Sequence, residues 1–119
     1  MSIEFTKQIE NDIAVIKLVG KIIENQDGDG LLDQVDECTA NGTNNFILNL
    51  KRLDYINSSG LNTFISILTK SRNAGGDTIL CGINEKVSKL FLITKLNTLF
   101  TIVDNEQDAQ NIFSKKLNI

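Results

Sequence analysis

The chain has 119 residues, of which 41% are hydrophobic, and its formal net charge is −3. This length suits one domain around one hydrophobic core, so we expect residues 1–119 to form a single domain. The small, slightly acidic net charge argues against nucleic acid or an anionic membrane surface as a partner. A protein surface fits better.

The chain contains no histidine, which excludes Ser-His-Asp triads, Cys-His pairs and histidine-ligated metal sites. Cys38 and Cys81 lack the paired spacing of a zinc site, and we expect both to be buried, reduced thiols. We therefore expect no metal and no cofactor. The N-terminus lacks the features of a secretory signal and no apolar stretch could span a bilayer, which predicts a cytoplasmic protein without membrane insertion.

The first third of the chain predicts a β-hairpin and a helix. Apolar and polar residues alternate over 3–9, Glu10-Asn11-Asp12 provides a turn, and the apolar run 13–19 predicts a central strand. After a polar stretch over 24–30, apolar residues at helical spacing predict a helix that ends at Asn41-Gly42.

The middle of the chain predicts a short buried strand over 46–50 and a loop over 51–57. An amphipathic helix follows and ends near Gly75-Gly76. The residues expected on its inward face are Leu61, Phe64, Ile65 and Leu68.

The last third predicts a strand over 78–83, a helix capped by Asn84 and a strand over 100–103. Asp104 and Gln107 form a capping-box-like pair before the final helix. The element order ββαβαβαβα predicts an α/β domain with a mixed sheet, in which right-handed crossovers follow the hairpin.

The stretch Asn57-Ser58-Ser59-Gly60-Leu61 lies between a strand and a helix, where functional groups gather in open α/β sheets. Helix capping explains these residue types without any further role, because Asn and Ser are favoured N-cap residues. The local pattern alone leaves both interpretations open.

The longer stretch from Leu53 to Leu61 resembles the phosphorylation loop of the STAS domain family, which sulfate transporters and anti-sigma factor antagonists share. The usual motif of that family is Asp-Ser-Ser/Thr-Gly-Leu. Leu18-Val19-Gly20-Lys21-Ile22 is similar to the family's Leu-x-Gly-x-Leu/Ile, and the likeness in element order covers the whole chain. Asn57 replaces the usual aspartate, and Ile23 stands where many members carry an acid, with Glu24 next.

The resemblance implies a STAS-like mixed sheet and the role of an anti-sigma factor antagonist, which is not an enzyme. Ser58 aligns with the phosphorylated residue, and Ser59 is the neighbour that helps to open the helix. The unphosphorylated form would sequester an anti-sigma factor that is also a serine protein kinase, and so free a sigma factor. A phosphatase is a further expected partner.

We expect the partner-binding face to combine the loop with the outward side of the following helix, since the outward positions next to Ser58 face solvent. Its expected members are Asp54, Tyr55, Asn57, Ser58, Ser59, Gly60, Asn62, Ser66 and Thr69.

The main alternative is a STAS adaptor domain that is not phosphorylated and serves a larger signalling or transport-associated assembly. A receiver domain would need an acidic pair after its first strand, which is missing. A serine hydrolase would need a base other than histidine, and Lys51 is the candidate for a serine-lysine dyad. A nucleotide site is disfavoured because Gly28-Asp29-Gly30 is acidic and lacks the lysine of a phosphate-binding loop.

Overall fold

A computed structural model describes residues 3–117 of the chain, without the side chains of Asn25, Ser59, Lys116 and Leu117. The element order is the predicted ββαβαβαβα, with two short 3-10 turns, Asn25–Gly28 and Leu96–Thr98. The strands are β1 (Glu4–Glu10), β2 (Ile13–Ile22), β3 (Asn45–Ile56), β4 (Thr78–Cys81) and β5 (Thr101–Val103). The helices are α1 (Asp29–Ala40), α2 (Ser58–Asn73), α3 (Glu85–Ile93) and α4 (Glu106–Leu117).

The five strands form one mixed sheet in the order β1-β2-β3-β4-β5. β1 pairs antiparallel with β2, whereas the other neighbouring pairs are all parallel. Asn11 and Asp12 form the two-residue turn of the hairpin with φ angles of 53° and 64°, the positive values that a type I′ turn requires. The predicted fold class and its opening hairpin are therefore confirmed.

Helices cover the two faces of the sheet unequally. The larger core is built from the sheet and from side chains of α1, α2 and α3, among them Val35, Phe64 and Phe91. The smaller core lies on the opposite face, where Ala109 and Phe113 of α4 cover the sheet. Because β2, β3, β4 and β5 follow one another in parallel, their carboxyl ends and the N-termini of α2 and α3 share one edge.

β3 is more than twice as long as the sequence pattern indicated. The predicted loop over 51–57 is wrong as far as Ile56, because β3 continues beside β2 through two register shifts. Leu53 and Ile56 are buried in this extension, while Asp54 and Tyr55 between them are exposed. Asp54 and Tyr55 are therefore strand residues.

The buried face of α2 is also rotated relative to the prediction. Ile65 is only half-buried, whereas Ile67 is fully buried and Thr63 is also inside. The reason is that α1 and the 3-10 turn Asn25–Gly28 pack against α2 beside the sheet, where Thr63 lies directly against Gly28. Leu61, Phe64 and Leu68 are buried as expected.

The cap of α4 differs by one residue from the prediction. Asn105 Oδ1, not the carboxylate of Asp104, accepts the backbone N–H of Asp108 at 2.9 Å, and Gln107 donates to Asn111 instead of closing a capping box. The first residue of the helix, Glu106, accepts a hydrogen bond of 2.6 Å from Asn49 of β3. This hydrogen bond fixes the start of α4 to the face of the sheet that carries the smaller core.

Candidate functional site

Ser58 is the first residue of α2 and follows the carboxyl end of β3, the middle strand of the sheet. Its side chain is exposed. The first backbone N–H groups of a helix have no intrahelical acceptor and carry the positive end of the helix dipole. The hydroxyl of Ser58 is thus accessible at a position that favours an anion.

Asn57 is the N-cap of α2, and its side chain makes contacts on both sides. Oδ1 accepts the backbone N–H of Gly60 at 2.9 Å, and Nδ2 donates to the carbonyl of Ile23 at 2.6 Å. The first contact requires an acceptor and the second a donor; an amide supplies both, whereas an ionised aspartate could supply only the acceptor. The asparagine that replaces the family's usual aspartate therefore forms a hydrogen bond that links α2 to the segment after β2.

Asp27 holds the same segment from the other side. Its Oδ2 atom accepts the backbone N–H groups of Ile23 and Glu24, each at 3.0 Å. These two hydrogen bonds, from Glu24 and then Ile23, stabilise the charged carboxylate and lower the pKa of Asp27. Ile23 is thus held through its N–H by Asp27 and through its carbonyl by Asn57, which pins the connection between β2 and α1 against the start of α2.

Gly60 is required by close packing. A β-carbon at this position would lie 2.6 Å from Cγ1 of Ile56 and 2.7 Å from Cγ2 of Ile22. Both isoleucines are buried at the ends of neighbouring strands. Gly60 lets the first turn of α2 pack directly on the sheet. This contact determines how far Ser58 lies from the strand ends.

An open groove separates Ser58 from α3. Its volume is about 410 Å³, and we call it the α3 groove. It is lined by Tyr55, Ile56, Asn57, Ser58, Lys86, Val87, Lys89, Leu90 and Ile93. Sequence reasoning missed the α3 residues, although Lys86, Lys89 and Ile93 lie at the spacing of one helical stripe. Nothing in the sequence pattern of α3 indicates that this stripe faces Ser58.

The other predicted partner residues lie outside the α3 groove. Asp54 lines a separate cavity of about 530 Å³, together with Lys21 and Glu24. Asn62 and Ser66 line a cleft between α1 and α2; Asn62 is exposed and Ser66 is half-buried.

Thr69 and Ser59 complete the predicted partner residues. Thr69 is exposed but follows Ser58 by about 16 Å along α2, at roughly 1.5 Å per residue. The side chain of Ser59, expected to cap the helix, lies outside the described part of the structure. Gly60 is buried, and the predicted residues with described, exposed or half-buried side chains form a broad strip across the end of β3 and α2 rather than one pocket.

The structure also bears on the enzyme and receiver alternatives. Lys51, the base that a serine hydrolase would use, lines a separate cleft with Asn49 and Gly82 and takes no part in the α3 groove. A receiver domain has no opening antiparallel hairpin, which here forms β1 and β2. Within the described residues, no group of three acidic or cysteine side chains could hold a metal ion.

Cys38 and Cys81 are both free and buried in the structure. Burial raises the pKa of Cys38, and it raises the pKa of Cys81 to about 11, with a smaller contribution from Glu106. Among the residues described, no helix combines the length and the apolar character that crossing a membrane demands.

The fold and the site define an open α/β module with an exposed serine where the helix after its middle strand begins. Residues 4–109 match the family model of the STAS domain. This chain therefore belongs to the STAS domain family, as the motif around Ser58 predicted.

Two relatives match most of the chain. BtrV of Bordetella bronchiseptica, named provisionally as an anti-sigma factor antagonist, is 30% identical over 87 residues, which cover 73% of this chain and 72% of BtrV. The anti-sigma F factor antagonist of Paenibacillus polymyxa is 24% identical over 110 residues, which cover 92% of this chain and 93% of that protein.

The fold is also that of the anti-sigma factor antagonist SpoIIAA. Its unphosphorylated form has a TM-score of 0.72 at 18% identity, covering 94% of this chain and 98% of SpoIIAA. The phosphorylated form of SpoIIAA from Bacillus gives a TM-score of 0.71 at 19% identity, covering 92% of this chain and 99% of that one.

Proposed function

We propose that this protein is an anti-sigma factor antagonist whose binding is switched by phosphorylation of Ser58. The observation that carries the proposal is the exposed hydroxyl of Ser58 at the first position of α2, beside an open groove. The names of BtrV and of the Paenibacillus polymyxa protein support the general role. The existence of SpoIIAA in unphosphorylated and phosphorylated forms supports a switch on this fold.

In its unphosphorylated form the protein binds an anti-sigma factor that is also a serine protein kinase, and the bound anti-sigma factor releases its sigma factor. The interaction takes place in the cytoplasm, requires no cofactor and involves no catalysis by this chain, which acts as one domain. The partner-binding surface combines the end of β3 with the start and the outward side of α2, and its members are Asp54, Tyr55, Asn57, Ser58, Ser59, Gly60, Asn62, Ser66 and Thr69.

Phosphate on Ser58 has opposite effects on folding and on binding. The first turn of α2 contains no acidic side chain, and each added negative charge gains about 0.3–1 kcal/mol from the helix terminus. The phosphorylated domain therefore stays folded. In the interface the same dianion must be desolvated or brought against carboxylates, and a cost of roughly 2–3 kcal/mol lowers affinity about 30- to 150-fold. A phosphatase restores the binding form.

The test uses the purified protein and the anti-sigma kinase encoded in the same genome. After incubation with MgATP, intact mass should show one added phosphoryl group, and peptide mapping should place it on Ser58. Ser58→Ala should fold, accept no phosphate and bind the kinase constitutively, whereas Ser58→Glu should bind more weakly. Ser114→Ala is the matched control, since Ser114 is exposed on α4 at the opposite face. Phosphate at another residue would contradict the assignment.

A constitutive adaptor is the second candidate function, and Asn57 is the observation that favours it. The amide of Asn57 caps α2 although the aspartate usual in the family is absent. The start of the helix is therefore formed without the complete phosphorylation motif of the family. A protein that binds a partner and accepts no phosphate would support the adaptor. Phosphorylation of Asn57→Asp but not of the natural chain would show that this residue had disabled the switch.

A further inference from the structure

The α3 groove has a charge that contrasts with the rest of the chain. The net charge is −3, yet the charged side chains that line the groove are Lys86 and Lys89. Within the part of the chain that the structure describes, neither lysine forms an ion pair. Lysine side chains normally leave their charged head group in the solvent. These two therefore give the groove a positively charged rim that a carboxylate of another protein can contact.

Exposed apolar side chains adjoin the same rim. Ile93 is 78% exposed and Tyr55 is 44% exposed, and both line the groove. Leu92, the neighbour of Ile93 at the end of α3, is 63% exposed. Scattered apolar residues are normal on a surface, but an apolar cluster bordered by charges of one sign is typical of a protein-binding site.

We propose that the α3 groove binds an acidic segment of the partner that inserts one apolar anchor residue between Tyr55 and Ile93. This inference rests on the proposed function, because the partner is the same anti-sigma kinase. Its carboxylates pair with Lys86 and Lys89, and its anchor covers the exposed end of α3. Charge complementarity favours an acidic protein segment, and α3 thereby joins the partner-binding surface.

The groove also explains how a single modification could release the partner. Ser58 lines the groove from the side opposite α3, so a phosphate on its hydroxyl enters the space that the partner's carboxylates occupy. The dianion neutralises the lysines and repels the acidic segment. Lys86 and Lys89 therefore make the affinity for the partner sensitive to the charge on Ser58.

The test measures binding of the unmodified protein to its anti-sigma kinase. The double variant Lys86→Gln/Lys89→Gln should weaken binding about 5- to 20-fold at low salt and make it less salt-dependent. The matched control is Lys7→Gln/Lys115→Gln, which removes the same charge from β1 and α4 and should stay within about twofold of the natural chain. Equal losses in the two double variants would overturn the proposal, as would a groove variant that binds like the natural chain.

A second pair of variants tests the apolar anchor. Ile93→Ala should weaken binding about 10-fold, while Ile9→Ala, which shortens a half-exposed isoleucine at the far end of β1, should have little effect. Retention of full affinity by Ile93→Ala would refute the anchor. Sedimentation that shows self-association lost in the groove variant would identify a second copy of this chain as the occupant and overturn the proposal.

The Ser58-phosphorylated protein provides the final comparison. Its residual affinity should change less than about twofold when both groove lysines are replaced, because phosphate has already neutralised them. A full lysine effect in the phosphorylated form would contradict the shared groove. Absence of phosphorylation would refute the proposed switch but not the groove, since the lysine comparison uses the unmodified protein. Absence of any binding to the kinase would overturn both.

Discussion

The side-chain amide of Asn57 donates a hydrogen bond of 2.6 Å to the backbone carbonyl of Ile23, which lies 34 positions earlier in the chain. The carbonyl oxygen of the same amide caps α2 at Gly60. One side chain thus joins the start of α2 to the connection between β2 and α1. The geometry of both segments depends on a residue that differs from the family's aspartate.

Asn57→Asp should destabilise the fold by up to about 1 kcal/mol at neutral pH. A carboxylate keeps the cap but cannot donate to Ile23, and loss of this exposed hydrogen bond costs about 0.5–1.5 kcal/mol. The negative charge at the helix N-terminus returns only about 0.3–1 kcal/mol. Urea unfolding measures the difference, with Asn62→Asp on the exposed side of α2 as the control. An unchanged or higher stability for Asn57→Asp would show that the donor is dispensable.

Gly60→Ala should destabilise the domain by about 1–3 kcal/mol, because its β-carbon would overlap two buried isoleucines and force the core to shift. Gly30→Ala is the matched control. The nearest atom to its β-carbon is Cε1 of Phe5 at 4.0 Å, and alanine at this helical position should stabilise by about 0.5 kcal/mol. Thermal and urea unfolding of the two variants should therefore shift in opposite directions. Equal effects would count against the close contact at Gly60.

Acid should weaken the fold partly through Asp27, whose pKa is lowered from the usual 3.8 by the backbone N–H groups of Glu24 and Ile23. A depressed pKa in the folded state gives stability that is fully present above the unfolded pKa and is lost as the pH falls through the folded pKa. Asp27→Asn should therefore be less stable than the natural chain at neutral pH, and the difference should shrink as the pH drops below 3.8. Asp33→Asn, an exposed change on α1, should show no such convergence. A difference that is constant over pH would contradict this role.

Neither cysteine should react with a thiol reagent in the native protein near pH 8. The thiolate is the reactive form, and with a pKa of about 11 only about one Cys81 side chain in a thousand is ionised at that pH. Cys38 is protected by burial in the same way. Both should react at once in urea, and a disulfide in unreduced protein would contradict the assignment. Rapid native labelling of Cys81 alone would indicate that α4 separates from the sheet.

Local chemistry was sufficient to predict the element order. The Asn11-Asp12 turn, β1 and α2 were predicted from patterns among neighbouring residues, and each of these elements appears where its pattern indicated. The end of β3 was missed because Lys51, Arg52 and Asp54 have the polarity of a loop. They are strand residues only because β2 continues beside them.

Part of the candidate site was missed for a similar reason. Ser58 was identifiable from its position between a strand and a helix, whereas the facing lysines belong to a helix that begins after another strand. Their proximity to Ser58 is set by the packing of α3 on the sheet, and no pattern within α3 records it. The rotation of the buried face of α2 toward Ile67 likewise depends on packing against α1 and the 3-10 turn Asn25–Gly28.

The direction of α4 determines where the molecule can be attached to something else. α4 begins at the carboxyl edge of the sheet, where Glu106 is held by Asn49, and runs back antiparallel to β5 on the face opposite α2 and α3. Its last turn therefore lies toward the edge of the sheet opposite Ser58. A fluorophore, a surface anchor or a fused protein joined beyond α4 would leave Ser58 and the α3 groove accessible, so immobilised binding measurements can be made without covering the candidate site.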